Sequence, residues 1–365
     1  MSIVIDNMTK SFDRTTVLRG IDLTVETGEL VALLGPSGSG KTTLLKIIAG
    51  LEWPDAGALD VHGTDWLRLA AQDRRIGFVF QHYALFPHMS VRDNIAFGLT
   101  VRPRAKRPSK TQIAARVEEL LHFLQIAHLG DRYPAQLSGG QRQRVALGRA
   151  LAIEPSVLLL DEPFGALDAA VRRDLRAWLR QVHEKTGSTT IFVTHDQEEA
   201  FELADRVVVM GDGRIEQIGN ADQIHDHPAS PFVARFMGAT VELPVTLHAG
   251  RAEAAGLDAS RLPRRVLPDG PATLFLRPAD ITPVADPLGP WRVQRCDSNG
   301  AILRIDLSDG TNTIPVDLPR RAPEARALER GARVHLRPEA GALFAAPRGT
   351  QTQPAAVEYP KEKAV

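Results

Sequence analysis

LVALLGPSGSGKTT, residues 30–43, is the stretch that decides the fold. The apolar run from Leu30 to Leu34 has the length of a strand buried on both faces. From Thr42 to Leu51, apolar Leu44, Leu45, Ile47 and Ile48 recur with helical spacing. Between strand and helix lies GPSGSGKT (35–42), which fits G-x-x-x-x-G-K-[ST] in the context that gives this pattern its meaning. Glycines let successive backbone N–H groups converge on phosphate oxygens, and the helix adds its positive N-terminal end. Gly35, Pro36, Ser37, Gly38, Ser39 and Gly40 are expected to wrap the phosphates, with Thr43 completing the nucleotide-binding run. Lys41 is expected at the β- and γ-phosphates, and Thr42 is expected to hold Mg²⁺ through its hydroxyl.

Working outward, VLLLDEP (157–163) reads as a second buried strand delivering two carboxylates at its C-terminal end. Asp161 is the candidate magnesium ligand and Glu162 the candidate general base. Strand–helix alternation continues through 76–80, 111–129, 141–153, 168–184, 191–194 and 206–210, which implies a parallel sheet with helices on its faces. LSGGQRQR (137–144) taken alone is a turn followed by a helix start, with Ser138 as a cap.

Near residue 240 the texture changes. Strand signals at 272–277, 291–296, 301–307 and 311–318 are separated by Asn299-Gly300 and Asp309-Gly310, both suited to tight hairpins. The expectation is a nucleotide-binding α/β domain over 1–237, with a helical subdomain at about 86–153. A small all-β, barrel-like domain would follow over 238–347, and a disordered tail over 348–365.

Composition sets outer limits. The 44 basic residues balance 44 acidic ones, which argues against a chain whose main task is coating nucleic acid. A single cysteine, Cys296, cannot build a disulfide framework or a structural zinc site. No signal segment and no membrane-length apolar run is visible, so the expected protein is soluble and cytoplasmic, reaching a membrane only through partners.

The order of these motifs resembles the ATP-binding cassette (ABC) family, whose signature sequence is LSGGQ. The resemblance covers about 1–237 and extends residue by residue. Gln81 stands at the Q-loop position, His195 in VTHDQEEA at the switch-histidine position, and Asp168 in FGALDAAVR at the D-loop position. Phe12 stands at the aromatic A-loop position, where tyrosine is commoner in the family. The resemblance implies a head-to-tail homodimer with two ATP molecules at its interface. Each would be held by the 35–42 loop of one subunit and by Ser138, Gly139, Gly140 and Gln141 of the other. It assigns Glu162, His195, Gln81 and Lys41 to catalysis, Thr42, Gln81 and Asp161 to Mg²⁺, and Phe12 to the adenine.

Within the family the chain is similar to importer ATPases, which work on the cytoplasmic face of the inner membrane. They act beneath two permease subunits fed by an external solute-binding protein. HYALFPHMSVRDNIAFGL, after Gln81, is either the internal packing of a helical insertion or a groove for a permease helix. Basic 102–110 is read as a solvated loop that could graze anionic lipid. LFLRPADITPV (274–284) resembles part of a regulatory domain appended to such ATPases, with a plain stability module as the alternative. The stretches 78–99 and 226–238 are most similar to sulfate/thiosulfate importers, while sugar, polyamine, molybdate and iron importers share most of the chain. A ribosome- or DNA-directed ATPase is the weaker alternative, since there is one cassette and no coiled-coil run.

Overall fold

The computed structural model describes residues 2–165, 169–264 and 266–346. Asp168 and the tail expected from 348 lie outside the described residues. The chain divides into two compact units, Met1–Met237 and Gly238–Val365.

The first unit begins β1 (Ile3–Phe12), β2 (Thr15–Val25), β3 (Leu30–Leu34), α1 (Lys41–Ala49), β4 (Ala56–Val61), β5 (Thr64–Asp65) and β6 (Ile76–Val79). Three helices follow, α2 (Val91–Thr100), α3 (Lys110–Phe123) and α4 (Gly139–Ala152). Then come β7 (Val157–Asp161), α5 (Ala169–Thr186), β8 (Thr189–Thr194), α6 (Gln197–Leu203), β9 (Arg206–Gly211), β10 (Arg214–Gly219), α7 (Ala221–Asp226) and α8 (Pro231–Phe236).

Six strands form the central sheet, in the order β10-β9-β3-β8-β7-β6. All its pairs are parallel except β9–β10. The apolar runs are continuous because both faces are covered. Leu30, Ala32, Leu34, Leu158 and Leu160 enter the core shared with the helices from α2 to α6. Val31, Leu33, Val157 and Leu159 enter a second core under α1 and an antiparallel sheet, β2-β1-β4-β5.

One feature corrects the sequence-based expectation, and another was not anticipated by it. The helix expected over 111–129 stops at Phe123, and Gln125 turns left-handed (φ 58°). Ile126 and Leu129 remain buried, so the apolar stripe persists through a chain reversal that periodicity cannot register. Arg74, expected as nothing in particular, is almost wholly buried. Its Nη1 donates to the carbonyls of Ile47 (2.7 Å) and Ile48 (2.9 Å), and its Nε to that of Leu69 (3.1 Å). A cation therefore closes the C-terminal end of α1, where the helix dipole favours it.

The second unit contains β11 (Val241–His248), β12 (Arg251–Glu253), β13 (Gly270–Leu276), β14 (Ile281–Ala285), β15 (Trp291–Asn299), β16 (Ile302–Ser308), β17 (Thr313–Pro319), β18 (Arg333–Pro338) and β19 (Ala342–Ala345). They form two antiparallel sheets, β12-β11-β13-β19 and β14-β18-β15-β16-β17. Val241, Leu243, Val245 and Leu247 alternate inward from β11 onto one core with Ile305 and Val316. The second sheet curls until its edge strands β14 and β17 approach each other. The β15–β16 hairpin is tight, with Asn299 paired to Ile302. The Asp309-Gly310 connection is not a two-residue turn, because Ser308 pairs with Thr313. Asp309 Oδ1 there accepts from the amides of Thr311 (2.8 Å) and Asn312 (2.7 Å), so a side chain builds the longer loop. Among the described residues, no helix is long and apolar enough to cross a membrane.

Candidate active site

Parallel pairing explains why residues far apart in sequence meet. Leu34 pairs with Thr194, Asp161 with Val193, and Val79 with Leu160. Three strands from three parts of the chain thus end level. The residues that follow them, Gly35, Glu162 and His195, emerge at one edge, and Gln81 follows from β6. This is the carboxyl edge of the sheet, where ligands of open α/β folds bind.

Backbone demands account for the glycines of the loop. Gly35, Gly38 and Gly40 have φ of 159°, 83° and 95°. A Cβ on Gly35 would lie 2.2 Å from the Met210 carbonyl oxygen, and one on Gly40 2.8 Å from that of Val17. Gly40 is the N-cap of α1 and offers no side-chain acceptor, which leaves the first N–H groups of the helix for an anion. Pro36, Ser37 and Gly38 are exposed, so the loop is open from outside.

Lys41 is buried, and its Nζ donates to the carbonyls of Gly35 (2.8 Å) and Pro36 (2.8 Å) and to Ser39 Oγ (3.2 Å). Burial pulls its ammonium below the ordinary lysine value, against the raising fields of Glu162 and Asp161. Thr42 Oγ1 donates to Asp161 Oδ1 at 2.8 Å. Burial pushes the Asp161 carboxyl above the usual carboxylate range, opposed by that hydrogen bond and by Lys46 and Lys41.

A carboxyl whose value is raised on folding costs nothing below its unfolded-state pKa and opposes folding once pH passes its folded-state pKa. Asp161→Asn should therefore raise Tm near neutrality, with the gain vanishing as pH falls through the carboxylate range. About 2–4 °C is expected per kcal/mol in a domain of this size. Thermal unfolding at pH 7 and pH 4 measures it, and an unchanged Tm at pH 7 would show that burial is fully compensated.

Glu162 adopts φ 44°, a strained conformation for a non-glycine residue, and its amide donates to the Val193 carbonyl (3.1 Å). Its carboxylate lies between two polar groups. Gln81 Nε2 donates to Oε2 at 2.7 Å, and His195 Nδ1 lies 3.5 Å from Oε1. Neighbours that the sequence reading missed order the backbone on either side of His195. Asp196 caps α6 by accepting from the amides of Glu198 and Glu199, and Arg172 Nη1 donates to its Oδ2 at 3.2 Å. The Asp196 amide donates to Thr194 Oγ1 (3.0 Å). The D-x-x-E spacing of 196–199 carried the capping signal.

Other expected site residues stand apart from this cluster. Ser138 is the exposed N-cap of α4, accepting from the Gln141 amide (3.3 Å), while the Gln141 side chain accepts from the Ser138 amide (2.9 Å). Gly139 and Gly140 form the first turn of that helix. A Cβ on Gly140 would lie 2.8 Å from Val171 Cγ1, so this glycine already answers to packing within its own chain. Phe12, at the tip of the β1–β2 hairpin, is exposed and carries Lys10 Nζ 4.9 Å from its ring centroid. Val17 of the same hairpin borders Gly40. In the segment after Gln81, Tyr83, Val91, Ile95 and Leu99 are buried in the core, so internal packing accounts for much of its apolar character.

The chain is similar to known proteins in sequence and in structure. The family described as ABC transporter matches residues 18–165. The sulfate/thiosulfate import ATP-binding protein CysA of Methylococcus capsulatus is 53% identical over 348 residues, covering 94% of this chain and 99% of that protein. Its counterpart in Escherichia coli K12 is 60% identical over 283 residues, 77% of each chain. Among solved structures, a dimeric ATP-binding cassette in a post-hydrolysis state with ADP and Pi matches with a TM-score of 0.55 and 33% identity, over 60% of this chain and 98% of that one. A glycine-rich loop between strand and helix, a strand-end carboxylate pair and such likeness along nearly the whole length of a relative lead to one conclusion: the chain belongs to the ABC transporter family, in its branch of import ATP-binding proteins.

Proposed function

We propose that this chain is the ATP-hydrolysing subunit of a sulfate/thiosulfate importer. It would act as a homodimer on the cytoplasmic face of the inner membrane, beneath two permease subunits. The hydrolytic part of this reading is carried by the cluster at the carboxyl edge of the sheet, where Gln81 and His195 flank Glu162 and Thr42 meets Asp161, and the solute by the likeness to sulfate/thiosulfate import ATP-binding proteins.

The residues fit a magnesium nucleotide. The loop takes backbone conformations that its glycines permit and leaves the first N–H groups of α1 without a side-chain cap, and Asp161 is a buried carboxyl that a cation would relieve. Thr42, Asp161 and Gln81 would hold Mg²⁺, which when bound neutralises charge on the β- and γ-phosphates. Lys41 would leave its carbonyl partners for the phosphates. Glu162 would take the proton of the attacking water, with Gln81 orienting that water and His195 contacting the γ-phosphate. The exposed N-terminus of α4 would face the nucleotide held by the partner subunit. Ser138 and the amides of Gly139 and Gly140 would meet its γ-phosphate there.

Two measurements test the reading. Co-purified with its permease subunits in a membrane, the protein should show ATPase activity stimulated by a sulfate-loaded binding protein. Stimulation by a sugar-loaded one alone would overturn the solute assignment. Ser138→Asp retains a good N-cap, so Tm should hold, yet it sets a carboxylate against the partner's γ-phosphate. ATPase activity should then fall at least tenfold, about 1.4 kcal/mol in the barrier. Full activity would mean that Ser138 is only a cap.

A further inference from the structure

We infer that Arg149 is a positioning residue for hydrolysis: it ties the helix that starts at Ser138 to the turn that carries Gln81, and so fixes where Gln81 meets Glu162. This rests on the reading of Gln81 and Glu162 as hydrolytic partners.

Gln81 is exposed and occupies the second position of a turn closed by the Tyr83 amide donating to the Phe80 carbonyl (2.8 Å). The two residues after His82 are strained. Tyr83 and Ala84 have φ of 62° and 44°, and neither is glycine. Such conformations persist only where the surroundings impose them. Here α4 supplies that constraint. Arg149 Nη2 donates to the Tyr83 carbonyl (2.9 Å), and Nη1 to the Ala84 carbonyl (2.6 Å). The guanidinium also lies 5.4 Å from the Phe86 ring centroid. Its planar fork matches two successive carbonyls as a lysine ammonium cannot.

The rest of the segment is pinned from α2. The buried Asn94 accepts from the Phe86 amide (2.9 Å) and donates to the carbonyls of Phe86 and Met89 (both 3.1 Å). The segment from the turn to Met89 is thus held by two helices, α4 at Tyr83 and Ala84 and α2 at Phe86 and Met89.

Helix α4 is suited to carry displacement. Ser138 and Arg149 are separated by about 16 Å of helix, at 1.5 Å per residue. The helix packs closely enough that a Cβ on Gly148 would lie 2.6 Å from Leu124 Cδ1. A shift at its exposed N-terminus therefore reaches the Tyr83 and Ala84 carbonyls through a stiff rod, and through their turn the side chain that touches Glu162.

A double-mutant cycle on the full-length protein tests this, with kcat and KM for ATP measured for Gln81→Ala, Arg149→Met, Arg149→Lys and the Gln81→Ala/Arg149→Met pair. Arg149→Met should lower kcat about 10- to 100-fold, the size expected of a displaced catalytic group, with KM unchanged. Arg149→Lys should lie between it and the wild type. The pair should be no slower than Gln81→Ala alone, because both changes remove one effect. Wild-type kcat in Arg149→Met, or losses that multiply in the pair, overturns the inference. A wild-type rate in Gln81→Ala instead rejects the role of Gln81 on which the inference stands. If Arg149→Met fails to fold, Arg149→Lys with and without Gln81→Ala completes the same cycle.

Discussion

Replacing Glu162 by Gln should leave nucleotide binding intact and reduce turnover by about 10²–10⁴-fold, the range for a lost general base. The substitution keeps shape and most hydrogen bonding. Gln81 Nε2, now 2.7 Å from a carboxylate oxygen, can donate equally to the amide oxygen of a glutamine. What disappears is the lone acceptor for the proton of water. The strained backbone at 162 (φ 44°) is set by the strand end and by its bond to Val193, so it should survive the change. Single-turnover hydrolysis beside equilibrium nucleotide binding separates the two effects. The variant should accumulate as a nucleotide-bound dimer, visible by size-exclusion chromatography with ATP. Rapid hydrolysis by Glu162→Gln would remove Glu162 as the base.

Lys41→Ala should lose affinity as well as rate. Hydrogen bonds to charged groups contribute about 1.5–3 kcal/mol, which is roughly 10- to 150-fold in the dissociation constant. Lys41 is a buried ammonium satisfied by two carbonyls and one hydroxyl of its own loop, and it sits in the fields of two carboxylates. Truncation strands those carbonyls and removes the cation nearest the expected γ-phosphate. Titration of a fluorescent ATP analogue should show weaker binding, and steady-state assays should show lower kcat. Undiminished ATPase activity in this variant would discard the phosphate-loop reading. The contrast between the variants is informative, since one changes chemistry after binding and the other changes both.

Much of the first unit was legible because its signals are local. The five-residue apolar run before Gly35, the glycine spacing and the helix after Lys41 follow from backbone geometry over a dozen residues. Ser138 announced a cap, and the structure adds its capping box with Gln141. Illegible features depend on partners that carry no side-chain signature. Arg74 and Arg149 bond to backbone carbonyls, which every residue possesses, so no pattern of residue types marks them. The stop of α3 at Phe123 was hidden because Ile126 and Leu129 stay buried beyond it. The Asp309 loop was misjudged because Asp-Gly serves both a two-residue turn and a longer turn closed by the aspartate itself.

By itself the sequence determined the α/β class, the glycine-rich loop between β3 and α1 and the family, since these depend on residue type at short fixed spacing. The tertiary structure alone decided that Gln81, Glu162 and His195 share one point. Their meeting requires the register Leu34–Thr194, Asp161–Val193 and Val79–Leu160 across a sheet whose strand order departs from chain order. A parallel sheet joins segments far apart in the chain through backbone hydrogen bonds that are the same for every residue, so side-chain identities along one strand cannot state which neighbour lies alongside.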